Sequence, residues 1–375
     1  MPPDRVARRR TVRIAVVYPG GTVSRSAIHA MDTVRWLRVA EGLADCGFAV
    51  DLVADGPADL AGSRPTLGVV PWAQVDWSRY DVVKTLLHGG FRRFADAGGA
   101  GHPFVISKLG SVVGPTDGVP GVHFFGEERR ELWQIQQAIR RHARYVTLLT
   151  EPSRALWEAA VSRDVPTLLV PAGVDRRIPP PRVNPYPIRA EKVAVYVGTL
   201  YADAQRSINV LWQDRLNALG RRLRPRGVRL YVVGPGRTDR LDPAVVTAVG
   251  AVPYDAVWDY QYFADVGLAL AQGPVQHNES SKLYCYLRAG LPIVSEAPIP
   301  NNRVIEESGC GVTVPYGDDE ALAQAVEAAA HRPWDREPAT QYVLASHTWE
   351  HRIRIYRDLL DAELGLPGDS PGGVT

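Results

Sequence analysis

Ser280-Ser281-Lys282 stands directly ahead of the apolar stretch Leu283-Tyr284-Cys285-Tyr286-Leu287, and Lys282 is one of only four lysines, at 84, 108, 192 and 282, in an arginine-rich chain. A helix beginning among residues 278–281, where several side chains can cap it, puts that amine in the first turn. The positive end of a helix dipole disfavours a cation by about 0.3–1 kcal/mol unless an anion is held there as well. Exposed amides at a helix start together with an amine make a phosphate site. The alternative is a solvated surface lysine near Glu279. Gly290 sits where a left-handed cap belongs, Pro292 bars continuation, and residues 291–295 read as a buried strand.

His88 is the second group that could do chemistry. It follows the apolar run 81–87 and precedes Gly89-Gly90, which places it at the carboxyl edge of a sheet, where ligands of α/β proteins bind. Its near-neutral pKa suits it to take a hydroxyl proton or to orient a substrate. A loop histidine bonded to a carbonyl is the alternative. Asp117 and Glu127, on or beside the glycine-rich stretch 109–121, compete for the base role.

These groups need carriers, and the chain supplies two similar sets. Residues 12–18 form a continuous apolar run ending at Pro19-Gly20-Gly21, a central parallel strand feeding a glycine loop, followed by a helix over 26–46 and a strand over 48–54. Further strands are expected at 81–87, 103–108, 145–149 and 167–170, with helices over 128–144 and 152–161. After a proline-rich stretch, 176–189, the alternation resumes with strands at 193–197, 228–233, 251–253 and 266–271, and helices over 207–223 and 322–330. Ser346-His347-Thr348-Trp349 opens a last helix to about residue 360. Alternating strands and helices on both sides of a linker predict two facing Rossmann-like α/β domains, 1–175 and 190–345, with residues 365–375 a disordered tail.

Composition narrows the function. At 375 residues, 45% hydrophobic and 22% charged, the chain can bury two cores, and a net charge of +2 argues against nucleic acid. Three cysteines without CxxC spacing favour neither zinc nor a disulfide framework. The opening MPPDRVARRR carries charge with no apolar core after it, and no run is long enough to span a membrane, so a cytoplasmic location is expected. That basic start and Arg92-Arg93 could also favour peripheral contact with an anionic membrane surface, or be plain solvated charge. Asp55 ends the second strand as a ribose-binding acid of an NAD site would, but Gly20-Gly21-Thr22-Val23-Ser24-Arg25 is not GxGxxG.

The stretch Ser280-Ser281-Lys282-Leu283-Tyr284-Cys285-Tyr286-Leu287-Arg288-Ala289-Gly290-Leu291-Pro292-Ile293-Val294 resembles the donor-site helix of GT-B glycosyltransferases of glycosyltransferase family 4 and the glucuronosyltransferase-like groups. Pro171-Ala172-Gly173-Val174-Asp175 is similar to the turn that closes the first domain in that superfamily, and Gly198-Thr199-Leu200 to its "Gly-Arg-Leu" turn. The resemblance implies a closing helix, 346–364, that crosses back to the first domain. It also implies a sugar nucleotide held by Gly20, Gly21, Gly198, Thr199, Arg206, Gly234, Asn278, Glu279, Ser280, Ser281 and Lys282, and transfer of its sugar to an acceptor hydroxyl without a bound metal or other cofactor. The acceptor the resemblance implies is polysaccharide, lipid-linked or a natural product. Two departures stand out. Thr199 replaces the turn's arginine, and Arg206, near the place of a second phosphate-binding cation, can hold phosphate in a bidentate fork, a solvated helix-start arginine being the alternative. His277 and Cys285 lie where many relatives carry a glutamate pair. An epimerase using the same donor and a non-catalytic sugar-nucleotide binder share the fold and stay open as alternatives.

Overall fold

The computed structural model describes residues 11–19, 31–55, 64–187, 191–200 and 207–366. Gly20, Gly21, Arg206, the start of the first helix and the tail from 367 lie outside the described residues.

Apolar runs too regular for a one-sided sheet become fully covered parallel strands. In the first half these are β1 (Arg13–Val17), β2 (Ala49–Val53), β3 (Leu67–Val70), β4 (Val82–Leu86), β5 (Val105–Lys108), β6 (Tyr145–Leu148) and β7 (Thr167–Leu169). They pair in the order β3-β2-β1-β4-β5-β6-β7, all parallel. Helices α1 (Met31–Asp45), α2 (Leu87–Asp96), α3 (Gly126–His142) and α4 (Glu151–Ala160) cover the two faces. The second half repeats the plan with β8 (Lys192–Val197), β9 (Val228–Val233), β10 (Val246–Gly250), β11 (Val266–Ala269), β12 (Ile293–Glu296) and β13 (Gly311–Val314), ordered β10-β9-β8-β11-β12-β13. Its helices are α5 (Ser207–Leu223), α6 (Tyr254–Tyr262), α7 (Ser281–Arg288), α8 (Arg303–Ser308) and α9 (Asp319–His331). Each sheet reverses its winding once, at β1/β4 and at β8/β11, and such switch points are where open α/β sheets bind ligands.

Several details differ from the sequence reading, which did not anticipate helices α2, α6 and α8. The strand expected at 251–253 is β10, at 246–250: Gly250 adopts φ 82°, which ends the strand, and Pro253 already precedes α6. Strands β3 and β13 were not anticipated, since both are edge strands of four residues with mixed burial. The closing helix expected from 346 is present as α11 (Trp349–Leu364), but a separate helix not anticipated, α10 (Glu337–Ser346), precedes it, the two broken at His347-Thr348.

That break is where the chain changes domain. Helix α10 packs beside α7 and α8, whereas Trp349, Ile353, Tyr356 and Leu360 of α11 join the core under β1, β2 and α1. Gly42 of α1 admits the return helix, because a β-carbon there would lie 2.4 Å from Ile353. At the crossing, Val174 N donates to His347 O (3.0 Å) and Trp349 N to Val174 O (2.9 Å). The proline-rich linker is tethered as well: Arg182 pairs with Asp259 (3.0 Å), and the buried Tyr186 donates to Tyr260 O (2.7 Å). The result is GT-B architecture, two facing Rossmann-like domains with the last helix returned to the first.

Candidate functional site

Helix α7 starts without a side-chain cap, and within its first turn Leu283 N turns back to Ser280 O (3.3 Å). It ends as the glycine and proline require, with Gly290 left-handed at φ 62° and Leu291 N returning to Tyr286 O. Tyr286 fastens the helix to the sheet. Its ring lies over Gly267 of β11, and its hydroxyl accepts from Val197 N (2.9 Å) at the end of β8. Lys282, in the first turn, is thereby laid against Gly198, where a β-carbon would come within 2.7 Å of Lys282 Cε and 3.1 Å of its Nζ. The amine also sits 4.9 Å from the centre of the Tyr196 ring.

Two glycine loops press together beside it. Gly198 N donates to Val233 O and Leu200 N to Pro235 O. Gly234, at φ 146°, leaves no room for a side chain: its β-carbon would lie 2.1 Å from Gly198 O. Here the sequence chooses glycine because backbone meets backbone. Between these loops and α7 lies a cavity of about 280 Å³, whose walls include Gly198, Thr199, Gly234, Ser280, Ser281 and Lys282. It opens at the β8/β11 switch point. Glu279 reaches the same cavity, but both its oxygens are engaged, by Ala172 N and Tyr284 OH. Asn278 lies outside that wall and bridges the halves instead, donating to Ser111 Oγ (2.8 Å) and accepting from Ser153 Oγ (3.2 Å).

The positions of the missing glutamates have other occupants' chemistry. His277 Nε2 meets Pro120 O at 2.7 Å, and Thr150 and Ser153 both donate to His277 O, so this residue clasps the first domain. Cys285 is half-buried, its thiol pushed up to about 11 by desolvation. It stands in a wall that the 280 Å³ cavity shares with a larger one of about 870 Å³ beneath the linker. The charges of that larger chamber are largely paired internally, Arg38 with Asp175 and Glu41, and Arg64 with Glu41 and Asp45.

The acid–base candidates are placed differently. His88 is in the first turn of α2 rather than a loop, buried, with Nε2 3.1 Å from Gln136 Oε1. Burial pushes it down to about 4. Gln136 in turn clamps Val113 through both its N–H and its carbonyl (2.8 Å each), so His88 acts on the 109–121 stretch at one remove. Asp117 accepts from Arg129 Nε (2.5 Å) and from Gly126 N at the start of α3, and the Arg129 hydrogen bond holds it below the usual carboxylate range. Glu127 is exposed in the first turn of α3. None of the three lines either cavity.

Some of the site escaped the sequence reading. Glu296, fully buried at the end of β12, pairs with Arg215 (2.5 Å) and accepts from Ala271 N (2.9 Å), fixing the root of the loop that carries residues 272–280. Only an acidic residue inside an otherwise apolar strand signals it. Asp55 pairs with Arg93, and Arg92 with Glu131, so those arginines are compensated within the first domain. Among the described residues, no group of three or more potential metal ligands converges, and no helix is long and apolar enough to cross a membrane.

Comparison with known proteins agrees with this geometry. Residues 191–332 match the family Glycosyl transferases group 1. The fold matches sucrose-phosphate synthase from Thermosynechococcus elongatus, with a TM-score of 0.64 at 16% identity over 94% of this chain and 100% of that one. It matches HepE of Anabaena, solved with UDP and glucose, with a TM-score of 0.65 at 14% identity over 94% and 100%. WaaG, a glycosyltransferase involved in lipopolysaccharide biosynthesis, gives 0.55 at 16% identity over 92% and 95%. No protein of curated function matches by sequence. The group 1 match falls on the half that holds the cavity, and the two-domain fold is shared with these structures along nearly the whole length of the chain.

Proposed function

We propose that the chain transfers a sugar from a nucleoside diphosphate sugar to an acceptor hydroxyl, and that the diphosphate leaves against protein cations and amides, without a bound metal. The observation that carries this reading is Lys282 folded over Gly198 on the wall of a cavity into which an uncapped helix start also opens. An amine and helix amides converging there meet the charge that develops on a departing diphosphate. Ser280 and Ser281 add hydroxyls at the same mouth, and Gly198 and Gly234 let the phosphates approach the backbone closely.

The donor-side wall is short of one cation among the described residues, since Thr199 carries none. In this reading Arg206 supplies it. The acceptor hydroxyl is activated from the first domain, where His88, Asp117 and Glu127 are the candidates. Closure of the two halves excludes water from the sugar centre.

The test has two stages. UDP, GDP, dTDP and ADP are screened by thermal shift, where a ligand at a hundred times its Kd stabilises by about 2.7 kcal/mol. One of them should raise Tm. The matching nucleotide sugar is then turned over with acceptors in the presence of EDTA. Release of free nucleoside diphosphate only when acceptor is present, and undiminished by the chelator, is the expected result. Activity abolished by EDTA and restored by Mg²⁺ or Mn²⁺ would overturn the metal-free leaving-group chemistry.

A further inference from the structure

Three of the buried charges in this molecule have no place in the chemistry so far. Lys84 on β4 is 1% exposed, Lys108 at the end of β5 is 4% exposed, and Arg35 of α1 is 9% exposed. The register pairs Leu86 with Lys108, so Lys84, two residues before Leu86, lies on the same face of the sheet as Lys108. That face is the one covered by α1 and α11, and it ends at the carboxyl edge beside the other domain.

Their counter-charge is thin. Lys84 Nζ makes no hydrogen bond and rests 4.3 Å from the centre of the Tyr356 ring. Lys108 makes no hydrogen bond or ion pair with a described residue. Arg35 leaves Nε without a partner and reaches Glu279 only at 3.8 Å. The charges acting on the Lys108 amine are Arg35, Asp32, Lys84 and Glu279. Asp32 is exposed, and Glu279 is already engaged by Ala172 and Tyr284. Buried cations are ordinarily paired and hydrogen-bonded, because leaving one bare in a low-dielectric interior costs several kcal/mol. Burial accordingly pushes both amines below the usual lysine range.

Two neighbours set the surroundings of the Lys108 and Arg35 cations. Gly110 lies two residues on, where a β-carbon would stand 3.0 Å from the Leu87 side chain and 4.0 Å from Lys108 Nζ. Arg35 leads through Glu279 to the 280 Å³ cavity, whose wall also includes Asp32.

We infer that Lys108, backed by Arg35 and Lys84, forms a second anion subsite at the carboxyl edge of the first sheet. It takes a phosphate or carboxylate that a substrate carries in addition to the donor's diphosphate. The group belongs either to the acceptor or to the donor's sugar as a uronate; the charge recognised is the same. Assigning the anion to a substrate rests on the sugar-transfer reading, whereas the subsite itself does not.

Inorganic phosphate is the probe. Calorimetry on the full chain saturated with UDP, at ionic strength matched with KCl, should show phosphate binding that Lys108→Gln weakens about tenfold or more while UDP affinity stays within about twofold. Lys108→Met guards against misfolding: removing an unpaired buried amine should leave Tm unchanged or raised. If neither variant folds, the wild-type comparison of phosphate with chloride decides. UDP-glucuronate and UDP-glucose separate the sources. A preference for the uronate that Lys108→Gln erases puts the anion on the donor; equal binding of the two, with phosphate still adding to UDP, puts it on the acceptor. Should UDP fail to bind while phosphate binds through Lys108, the subsite stands and the donor reading falls. No phosphate binding together with no uronate preference, or phosphate binding indifferent to Lys108→Gln, overturns the proposal.

Discussion

The two switch points are built in opposite ways. At β8/β11 the cavity is made by backbone: two glycine loops in mutual contact, an uncapped helix start, and a lysine lying across a glycine. At β1/β4 the described residues place side chains behind side chains, with His88 holding Gln136, Gln136 holding Val113, and Arg129 holding Asp117. A backbone site has few solutions and repeats the same short motif wherever a diphosphate is held. A site assembled from side chains can be redrawn by substituting them.

The sharpest way to break that contrast is Gly234→Val. With φ at 146° and Gly198 O 2.1 Å from the new β-carbon, the loops must separate. Nucleotide binding should disappear, with stability falling by about 1–3 kcal/mol or more. A variant that melts and binds like the parent would show that the loop contact is dispensable. Lys282→Ala is the milder version. Losing a charge-assisted hydrogen bond to phosphate costs about 1.5–3 kcal/mol, which is roughly 10- to 150-fold in Kd, with Tm of the free protein unchanged. Unaltered affinity in calorimetry would place the diphosphate elsewhere.

The smallest effect should come from the side-chain region. His88→Ala is expected to lower kcat by about tenfold with nucleotide affinity within about twofold and the acidic limb of the pH–rate profile retained, because the residue acts through Gln136. A fall of about a hundredfold with that limb lost would make His88 the proton acceptor itself. The residue should also mark the stability curve. Burial holds it at about 4 in the folded chain, against an ordinary value of 6.5. The unfolded chain therefore binds the extra proton first. The stability His88 contributes is complete above pH 6.5 and declines as pH falls from 6.5 towards 4, at up to about 1.4 kcal/mol per unit. Melting His88→Gln beside the parent across that range should flatten the decline; identical slopes would show that another group causes it.

The same contrast explains what could be read from the chain. Lys282, Gly290 and Pro292 announce helix α7 and its end because capping and dipole rules act over a few residues. The alternation of apolar runs likewise forecasts the two sheets, missing chiefly the short edge strands β3 and β13. Glu296 with Arg215, and Lys84 with Lys108, are joined only by folding, across separations no local rule spans. One trace was available. A lysine inside Val82-Val83-Lys84-Thr85-Leu86 and another closing Val105-Ile106-Ser107-Lys108 contradict the apolar pattern around them, in a chain that otherwise prefers arginine. Such a conflict between a residue and its own strand marks a place where stability was not the whole requirement.

Both covalent connections between the halves pass through one knot, the paired backbones of Val174 and Thr348. Arg352 tightens it by donating to Ala172 O (3.0 Å) from the returning helix, and Gly173 leaves no room for a side chain there, since a β-carbon would stand 2.9 Å from Trp349. Two ropes tied at a single ring leave a body free to turn about the ring while forbidding it to slide. The clasp of His277 and Asn278 on Pro120, Ser111 and Ser153 fastens the halves a second time away from that ring, so any turn about the ring would first have to break it.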